Sequence, residues 1–422
     1  MKLTQILAAG LALSAAPALA EATVIHAGSV LIDADSEPTG PSTVFIEDGR
    51  VTGVQVGHHQ GAPGATVIDL SDKTVLPGLI DLHVHLTGDP GGDFWKEAVE
   101  PDEWGVVVGA KNARITALAG FTTVREAGSA QHTAFALRRG TEEGIIPGPR
   151  IVAAGPALAI VGGHADVSGF RPEINQILTS GYACTGAVEC AEKVRRASQN
   201  GADVIKITAT GGVLSQQGRG LEAHFTSPEM KSIADTAHSL GLKVMAHAHG
   251  ARGIEAASRA GIDTIEHGTY LDEAAAREMK ANGTVLIPTL MAFKGVTERL
   301  DKGIYTPVVE DKIRAVAETA QVFMGKAYRW GVPIAFGTDA GVFEHGRNAE
   351  EFALMVGQGM SNREALASAT TRAAEVLEME GEIGRIAQGY SADIIAVSGN
   401  PLEDVTVLEN VDWVMVRGRV IE

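Results

Sequence analysis

In the run Leu76-Pro77-Gly78-Leu79-Ile80-Asp81-Leu82-His83-Val84-His85, Leu79–Val84 reads as a buried strand whose end carries two histidines one residue apart. Residues i and i+2 of a strand point to the same side, so both imidazoles project together from its C-terminal end, where they could grip one cation. Seven more β-branched runs follow: Thr122–Arg125, Ile151–Ala154, Val204–Thr208, Val244–Ala246, Thr264–Ile265, Val285–Ile287 and Ile334–Phe336. Helical patterns such as Ser227–Leu240 and Ala251–Ala260 separate them. Eight strand-helix alternations over about 300 residues predict an α/β chain folded as a (β/α)8 TIM barrel, with its active site at the C-terminal strand ends. A doubly wound open sheet is the alternative. No glycine-rich dinucleotide fingerprint opens the first unit, which argues against it.

Shorter strand-like pieces flank this middle. Thr23–His26, Val30–Ile32, Thr43–Ile46, Arg50–Val54 and Thr66–Asp69 precede it, with Glu47-Asp48-Gly49 as a hairpin turn signal. Asp393–Val397, Trp413–Val416 and Arg417–Val420 follow it. Both chain ends are therefore expected to pair into one small β-sandwich, built from residues 21–76 and 388–422, around a barrel of residues 77–387. With 422 residues, 45% of them apolar, and 50 glycines, the chain suits many short buried strands joined by tight turns.

The first 20 residues carry one cation at Lys2, then an uncharged apolar stretch, then Ala18-Leu19-Ala20, the pattern of a cleavable secretory signal. The stretch is too short and alanine-rich to span a bilayer comfortably, and no later segment approaches the roughly 20 apolar residues of a transmembrane helix. The expectation is a soluble exported protein, periplasmic if the source is Gram-negative. Formal charge is 35 minus 52, or −17, with no basic run, which excludes nucleic acid as a partner. Two cysteines, Cys184 and Cys190, exclude a thiolate-rich zinc site. Their close spacing makes a small disulfide loop plausible in an oxidising compartment; two free thiols are the alternative.

Titratable residues gather where the predicted strands finish. The first ends in His83 and His85, the second in Arg125-Glu126, and the third is followed by Gly162-Gly163-His164-Ala165-Asp166. The fourth contains Lys206; then come His247 and His249, Glu266-His267-Gly268, and Thr338-Asp339-Ala340. Each residue alone has a plain reading. Lys206 could snorkel from a strand end, Asp339 could be a turn former, and His267 could be a satisfied core histidine.

Taken together, H-x-H, a strand lysine, a histidine after each of the next two strands and a final aspartate resemble the amidohydrolase superfamily. Val75–His85, Gly120–Arg125, Gly201–Ile207, Ile265–Gly268 and Gly384–Ile394 carry the likeness, which covers essentially the whole mature chain. Within the superfamily the chain looks like the imidazolonepropionase-like and prolidase-like metal hydrolases, which include dipeptidases and N-acyl amino acid hydrolases such as the ochratoxin-degrading enzymes. The resemblance implies two divalent ions, with zinc the expected metal. His83, His85 and Asp339 would hold the more buried ion, His247 and His267 the other, and Lys206 would bridge them as its carbamate. Ammonium has no lone pair, whereas a carbamate offers two anionic oxygens, so the modification makes electrostatic sense.

His247 and His249 project from one face of the same strand. His247 directly follows the strand and matches the ligand position, so His249 is assigned to substrate, with orientation of a ligand as its plainer role. His164 would polarise the scissile carbonyl or bind a carboxylate, and Asp339 would be the general base. The expected reaction is hydrolysis of a dipeptide or N-acyl amino acid by a water activated between two ions. A hydrolase of cyclic amides or lactones, a mononuclear deaminase and a non-catalytic metal-binding protein are the rivals. Lys206 argues against the deaminase; Asp339, Lys206 and His164 together argue against the last.

Arg219 or Arg347 could pair with a substrate carboxylate, and Glu222 and Glu344 leave room for a cationic side chain. His224 and His345 lie in loops that could reach substrate, while His26, His58, His59, His132 and His238 fall away from strand ends. Glu126 departs from the related phrase, which usually ends in aspartate. Related barrels commonly assemble, so a homo-oligomer is compatible with the resemblance.

Overall fold

A computed structural model describes residues 22–216 and 220–422, apart from the side chains of Phe94 and Glu97. The expected signal segment and Arg219 lie outside the described residues. Strands β1 (Ala22–Val30), β2 (Ser42–Glu47), β3 (Arg50–Val56) and β4 (Thr66–Pro77) lead into β5 (Leu79–Val84) across Gly78. A Cβ on Gly78 would lie 2.1 Å from Thr122 Oγ1, so only glycine lets the chain pass this close to its neighbour.

All six residues of β5 are buried. Ile80 and Leu82 pack with Ala373, Ala374 and Ile383, while Asp81 and His83 alternate with them and point the other way. β6 (Phe121–Glu126) and β7 (Arg150–Ala153) pair in parallel with β5, and the short β8 (Ala159–Ile160) and β9 (Ala183–Cys184) form a side pair. β10 (Val204–Thr208), β11 (Lys243–Ala248), β12 (Thr264–His267) and β13 (Val285–Ile287) make a four-stranded parallel sheet. Helices return the chain between these strands, among them Trp104–Leu118, Ala187–Gln199, Ser227–Ser239 and Ala251–Ala260. Thr226 and Glu229 form a capping box at the start of Ser227–Ser239, which satisfies amides that a helix N-terminus leaves open.

The segment expected as an eighth strand is irregular. Ile334 bridges Leu286 and Ala340 bridges Val84, both in parallel, and Leu82 N donates to Phe336 O at 3.1 Å. Between them, a Cβ on Gly337 would sit 2.3 Å from Ile287 Cγ2, and Asp339 adopts φ +65°. A chain that must turn through a left-handed residue cannot hold a regular ladder. On the other side, Asp203 N, just before β10, donates to Ala153 O of β7 at 2.9 Å, and Leu158, just before β8, bridges Ile207 of β10.

The chain ends do come together, but in one continuous seven-stranded sheet where a sandwich was expected. β14 (Ile394–Val397), β15 (Val411–Val416) and β16 (Arg419–Val420) extend it in the order β16-β15-β14-β4-β1-β2-β3. Its buried face gathers Ile25, Val44, Ile46, Val75, Ile394 and Met415. The join is the antiparallel β4–β14 ladder, Ile394 opposite Pro77 through Val397 opposite Thr74. Among the described residues no helix is long and apolar enough to cross a membrane.

Cys184 and Cys190 form a disulfide that ties β9 to the first turns of helix Ala187–Gln199, and both are fully buried. Replacing both by alanine is expected to lower the unfolding free energy by about 2–3 kcal/mol, the chain-entropy value for so short a loop. A shift of the urea midpoint checks this, and an unchanged midpoint would show that packing alone fixes the turn.

Candidate metal centre

Parallel strands place their C-terminal ends side by side, so the residues that finish β5, β11 and β12 converge. His83, His85 and Asp339 form one group whose ligating atoms lie within 4.8 Å of one another; His247, His249 and His267 form a second. Asp339 Oδ1 is 3.3 Å from Nε2 of both His83 and His85. The two groups touch, since the His83 and His267 rings are 5.3 Å apart and those of His247 and His267 4.5 Å. Lys206, buried in β10, is close enough to Asp339, Glu266, His247 and His267 to interact electrostatically with each.

The far side of each ring is anchored. His83 Nδ1 lies 2.7 Å from Glu266 Oε2 and His85 Nδ1 2.9 Å from Gly128 O. A carboxylate and a carbonyl only accept here, so Nδ1 carries a proton in both rings and Nε2 is the nitrogen turned toward Asp339. His267 Nδ1 meets Thr289 Oγ1 and His249 Nδ1 meets Thr269 Oγ1, both at 2.7 Å. His247 is the reverse: its Nε2 is 3.3 Å from Gly211 O, which leaves Nδ1 as the ligating atom.

Burial sets the charge states. Desolvation, reinforced by neighbouring histidines, holds His247 and His267 well below the usual imidazole range, while desolvation and then Lys312 hold His249 at about 3 against the pull of Asp339. Desolvation also draws Lys206 down to about 8 against the pull of Glu266 and Asp339. Burial opposes charge on Asp339, yet His83 and His85 hold it well below the usual carboxylate range. Inward-facing imidazole nitrogens, neutral on His247, His249 and His267, one ionised carboxylate and an amine drawn down to about 8 are donors that a divalent cation needs, so this chain fits the metals its sequence pattern implies.

Backbone strain concentrates at the same place. His267 at φ +73°, Asp339 at +65°, Thr289 at +49° and Ala165 at +69° are all left-handed non-glycine residues at or beside the centre. Beneath the ligands, Arg125 Nη2 pairs with Glu266 Oε1 at 3.0 Å, and Asp81 accepts from Thr338 Oγ1 at 2.6 Å and Asn348 Nδ2 at 2.8 Å. Spacing along the strands assigns no role to Arg125, Glu266 or Asp81. A charged residue inside an apolar strand is the signal that could have found them, because it must meet a partner.

His164 also reaches the centre, with its ring 4.3 Å from that of His247 and its Nδ1 2.8 Å from Ser215 Oγ. His224 Nδ1 lies beside the His164 amide at 3.5 Å. His345 does not take part; it is buried between Thr116 and Gly88 O. Arg347 is committed to Glu298, Glu344 and Glu350, and Glu222 pairs with Arg252 in solvent. Glu344 is further held by Arg299, so these loop charges satisfy one another. Glu126 is buried beside His85 and Lys206, with Oε2 accepting from Gly128 N at 3.0 Å.

Cation sites, an adjacent carboxylate base and histidines that can reach a carbonyl are what metal-assisted cleavage of an amide requires. Fold, site and relatives together define a metal-dependent hydrolase of amide bonds. More narrowly, residues 74–421 match the Amidohydrolase family, and the chain belongs to it. It is 32% identical to ochratoxinase of Aspergillus niger over 419 residues, covering 92% of this chain and 84% of that protein. Among solved structures it is similar to a Xaa-Pro dipeptidase with bound methionine in the active site, at TM-score 0.87 and 38% identity over 95% of this chain and 100% of that one. A prolidase complexed with N-methylphosphonate-L-proline superposes at TM-score 0.87 and 32% identity, over 95% of this chain and 99% of that one.

Proposed function

We propose that the chain is an exported binuclear amidohydrolase that cleaves dipeptides or N-acyl amino acids and releases a free amino acid. The observation that carries this reading is the meeting of the two ligand groups beside buried Lys206. In it, His83, His85 and Asp339 would hold one divalent cation and His247 and His267 a second, with Lys206 as its carbamate an additional anionic ligand and zinc the expected element. Lys206 reaches that state when its neutral amine bonds the carbon of carbon dioxide and loses one proton. An amine drawn down to about 8 supports this step. The bound cations supply Lewis acidity, which acidifies water and polarises a carbonyl.

The protein's own groups do the rest. Asp339, fixed by its amide donating to His83 O at 2.7 Å, accepts the proton of the attacking water and returns it to the leaving amine. His164 donates to the scissile carbonyl oxygen, and His249 holds the substrate. The two relatives seen with methionine and with a proline phosphonate support a leaving group of amino-acid size.

The same reading takes the two parallel sheets, brought together at Ala153 and Asp203 and by the 334–340 segment, as a closed (β/α)8 barrel over residues 77–387. Residues 21–76 and 388–422 form the accompanying β unit. Processing after Ala20 delivers the mature chain to the periplasm of a Gram-negative source, and the buried disulfide supports an oxidising address.

Metal content of the purified protein, followed by amino acid release from a panel of dipeptides and N-acyl amino acids, tests the proposal. About two zinc equivalents per chain with release from some members is the expected result. Bound metal without release moves the activity to cyclic amides or esters. No metal after reconstitution with zinc and bicarbonate overturns the mechanism.

A further inference from the structure

Helix Pro307–Ala320 buries Val309, Ile313 and Val316 at helical spacing, and Lys312 stands within that inward stripe. Its Nζ does not turn to solvent. It donates to Gly212 O at 2.9 Å and Ser215 O at 2.6 Å, while Thr306 at the same helix start donates from Oγ1 to Gln216 Oε1 at 2.9 Å. The loop so held lies against the catalytic histidines. A Cβ on Gly212 would strike the His164 ring at 2.4–2.5 Å, and Ser215 Oγ is 2.8 Å from His164 Nδ1. Both His164 and His249 also feel the Lys312 charge.

The Ser215 hydroxyl has one proton and two acceptors in reach, His164 Nδ1 at 2.8 Å and Gly212 O at 3.1 Å. Which one receives it fixes the His164 tautomer. If the proton goes to Gly212 O, the Ser215 oxygen must accept from Nδ1–H, and Nε2 is left without a proton to give. If it goes to Nδ1, the neutral ring carries its proton on Nε2. Gly212 O is already bonded by an ammonium, which makes the hydroxyl's own contribution there least needed and favours the shorter contact.

We propose that Lys312 is a positioning residue: by holding Gly212 O and Ser215 O it directs the Ser215 hydroxyl to His164 Nδ1, so that neutral His164 presents Nε2–H to the substrate carbonyl. This rests on the carbonyl role given to His164 above. Lys312 and Ser215 then act as one device, although they come from separate segments of the chain and neither is a metal ligand.

The test uses metal-loaded full-length protein, with Lys312→Met, Lys312→Arg, Ser215→Ala, the Lys312→Met/Ser215→Ala pair and His164→Asn. Lys312→Met and Ser215→Ala should each lower kcat about tenfold or more with little change in KM, and the pair should be no worse than the weaker single. Lys312→Arg, which keeps a donor, should recover most of the rate. Nitrogen-15 spectra of histidine-labelled protein should show His164 protonated on Nε2 in the parent and shifted toward Nδ1 in Lys312→Met, a change that loosened packing alone would not produce. An Nδ1–H tautomer in the parent, or an unchanged tautomer and rate in Lys312→Met while His164→Asn is impaired, overturns the role of Lys312. Full activity in His164→Asn overturns the carbonyl role beneath it.

Discussion

Asp339→Asn is expected to lower kcat by about two to four orders of magnitude, the usual worth of a positioned general base, while most of the metal stays bound. The substitution suits the site. Asparagine is among the residues that tolerate the left-handed backbone, so φ +65° at this position adds little strain. The amide keeps an oxygen where Oδ1 now lies 3.3 Å from both His83 Nε2 and His85 Nε2, and the main-chain bond to His83 O at 2.7 Å is untouched. What disappears is the ability to take a proton from water and pass it on. Asp339→Ala separates the two duties, because it removes the ligand oxygen as well and should lose metal together with turnover. Kinetics beside metal analysis of both variants decide the matter. Unchanged turnover in Asp339→Asn removes the residue from the role of base, and metal loss in parallel with turnover reduces it to a ligand.

How far the sequence carried the fold depends on what fixes each element. β5, β10 and β13 coincide with the runs read as Leu79–Val84, Val204–Thr208 and Val285–Ile287, because strands buried on both faces read as continuous apolar stretches. The 334–340 segment could not be read this way. Its course is set by Gly337 packed on Ile287 and by the left-handed turn at Asp339, neither of which appears as a pattern of hydrophobicity. At the chain ends the individual strands were legible, but the number of sheets was not; that depends on Ile394 meeting Pro77, a pairing between opposite ends of the sequence. The site divides in the same manner. Candidate ligand types follow from strand position, so the histidines, Lys206 and Asp339 could be named, and the structure brings them together. His249 shares a cluster with His247 and His267, and what sets His247 apart is the carbonyl of Gly211 against its Nε2, a contact from a loop. Thr289, Thr269 and Ser215, which anchor or face ring nitrogens, likewise come from turns that sequence spacing does not place. Arg347 and Glu344 illustrate the converse, since charges that looked available to a substrate are spent on each other and their neighbours.

Arg125→Met is expected to cost about 3–5 kcal/mol of stability, because it strands a buried carboxylate without its counter-charge. Arg125 and Glu266 are both essentially inaccessible to solvent. The guanidinium spreads over three partners: Nε donates to Leu82 O at 2.6 Å, Nη1 to Thr264 Oγ1 at 3.2 Å and Nη2 to Glu266 Oε1 at 3.0 Å. Glu266 passes the effect upward, since its other oxygen lies 2.7 Å from His83 Nδ1. Burial alone would push Glu266 up; Arg125 and then His83 bring it down to about 2, so the group that orients His83 is a full anion. An anion on Nδ1–H fixes the ring and strengthens Nε2 as a donor to a cation, which is why losing such a partner typically costs about 10–100-fold in metal affinity. The two effects separate experimentally. Urea unfolding of metal-free protein reads the stranded charge, and competition with a chromophoric zinc chelator reads the affinity. Glu266→Gln should weaken metal binding on its own, and Arg125→Met/Glu266→Gln should recover part of the stability lost by Arg125→Met while leaving affinity low, because the charge is no longer stranded but His83 has lost its anion. A double variant as unstable as the sum of the singles would mean that Arg125 acts through Leu82 and Thr264, and that the ion pair is incidental to the metal site above it.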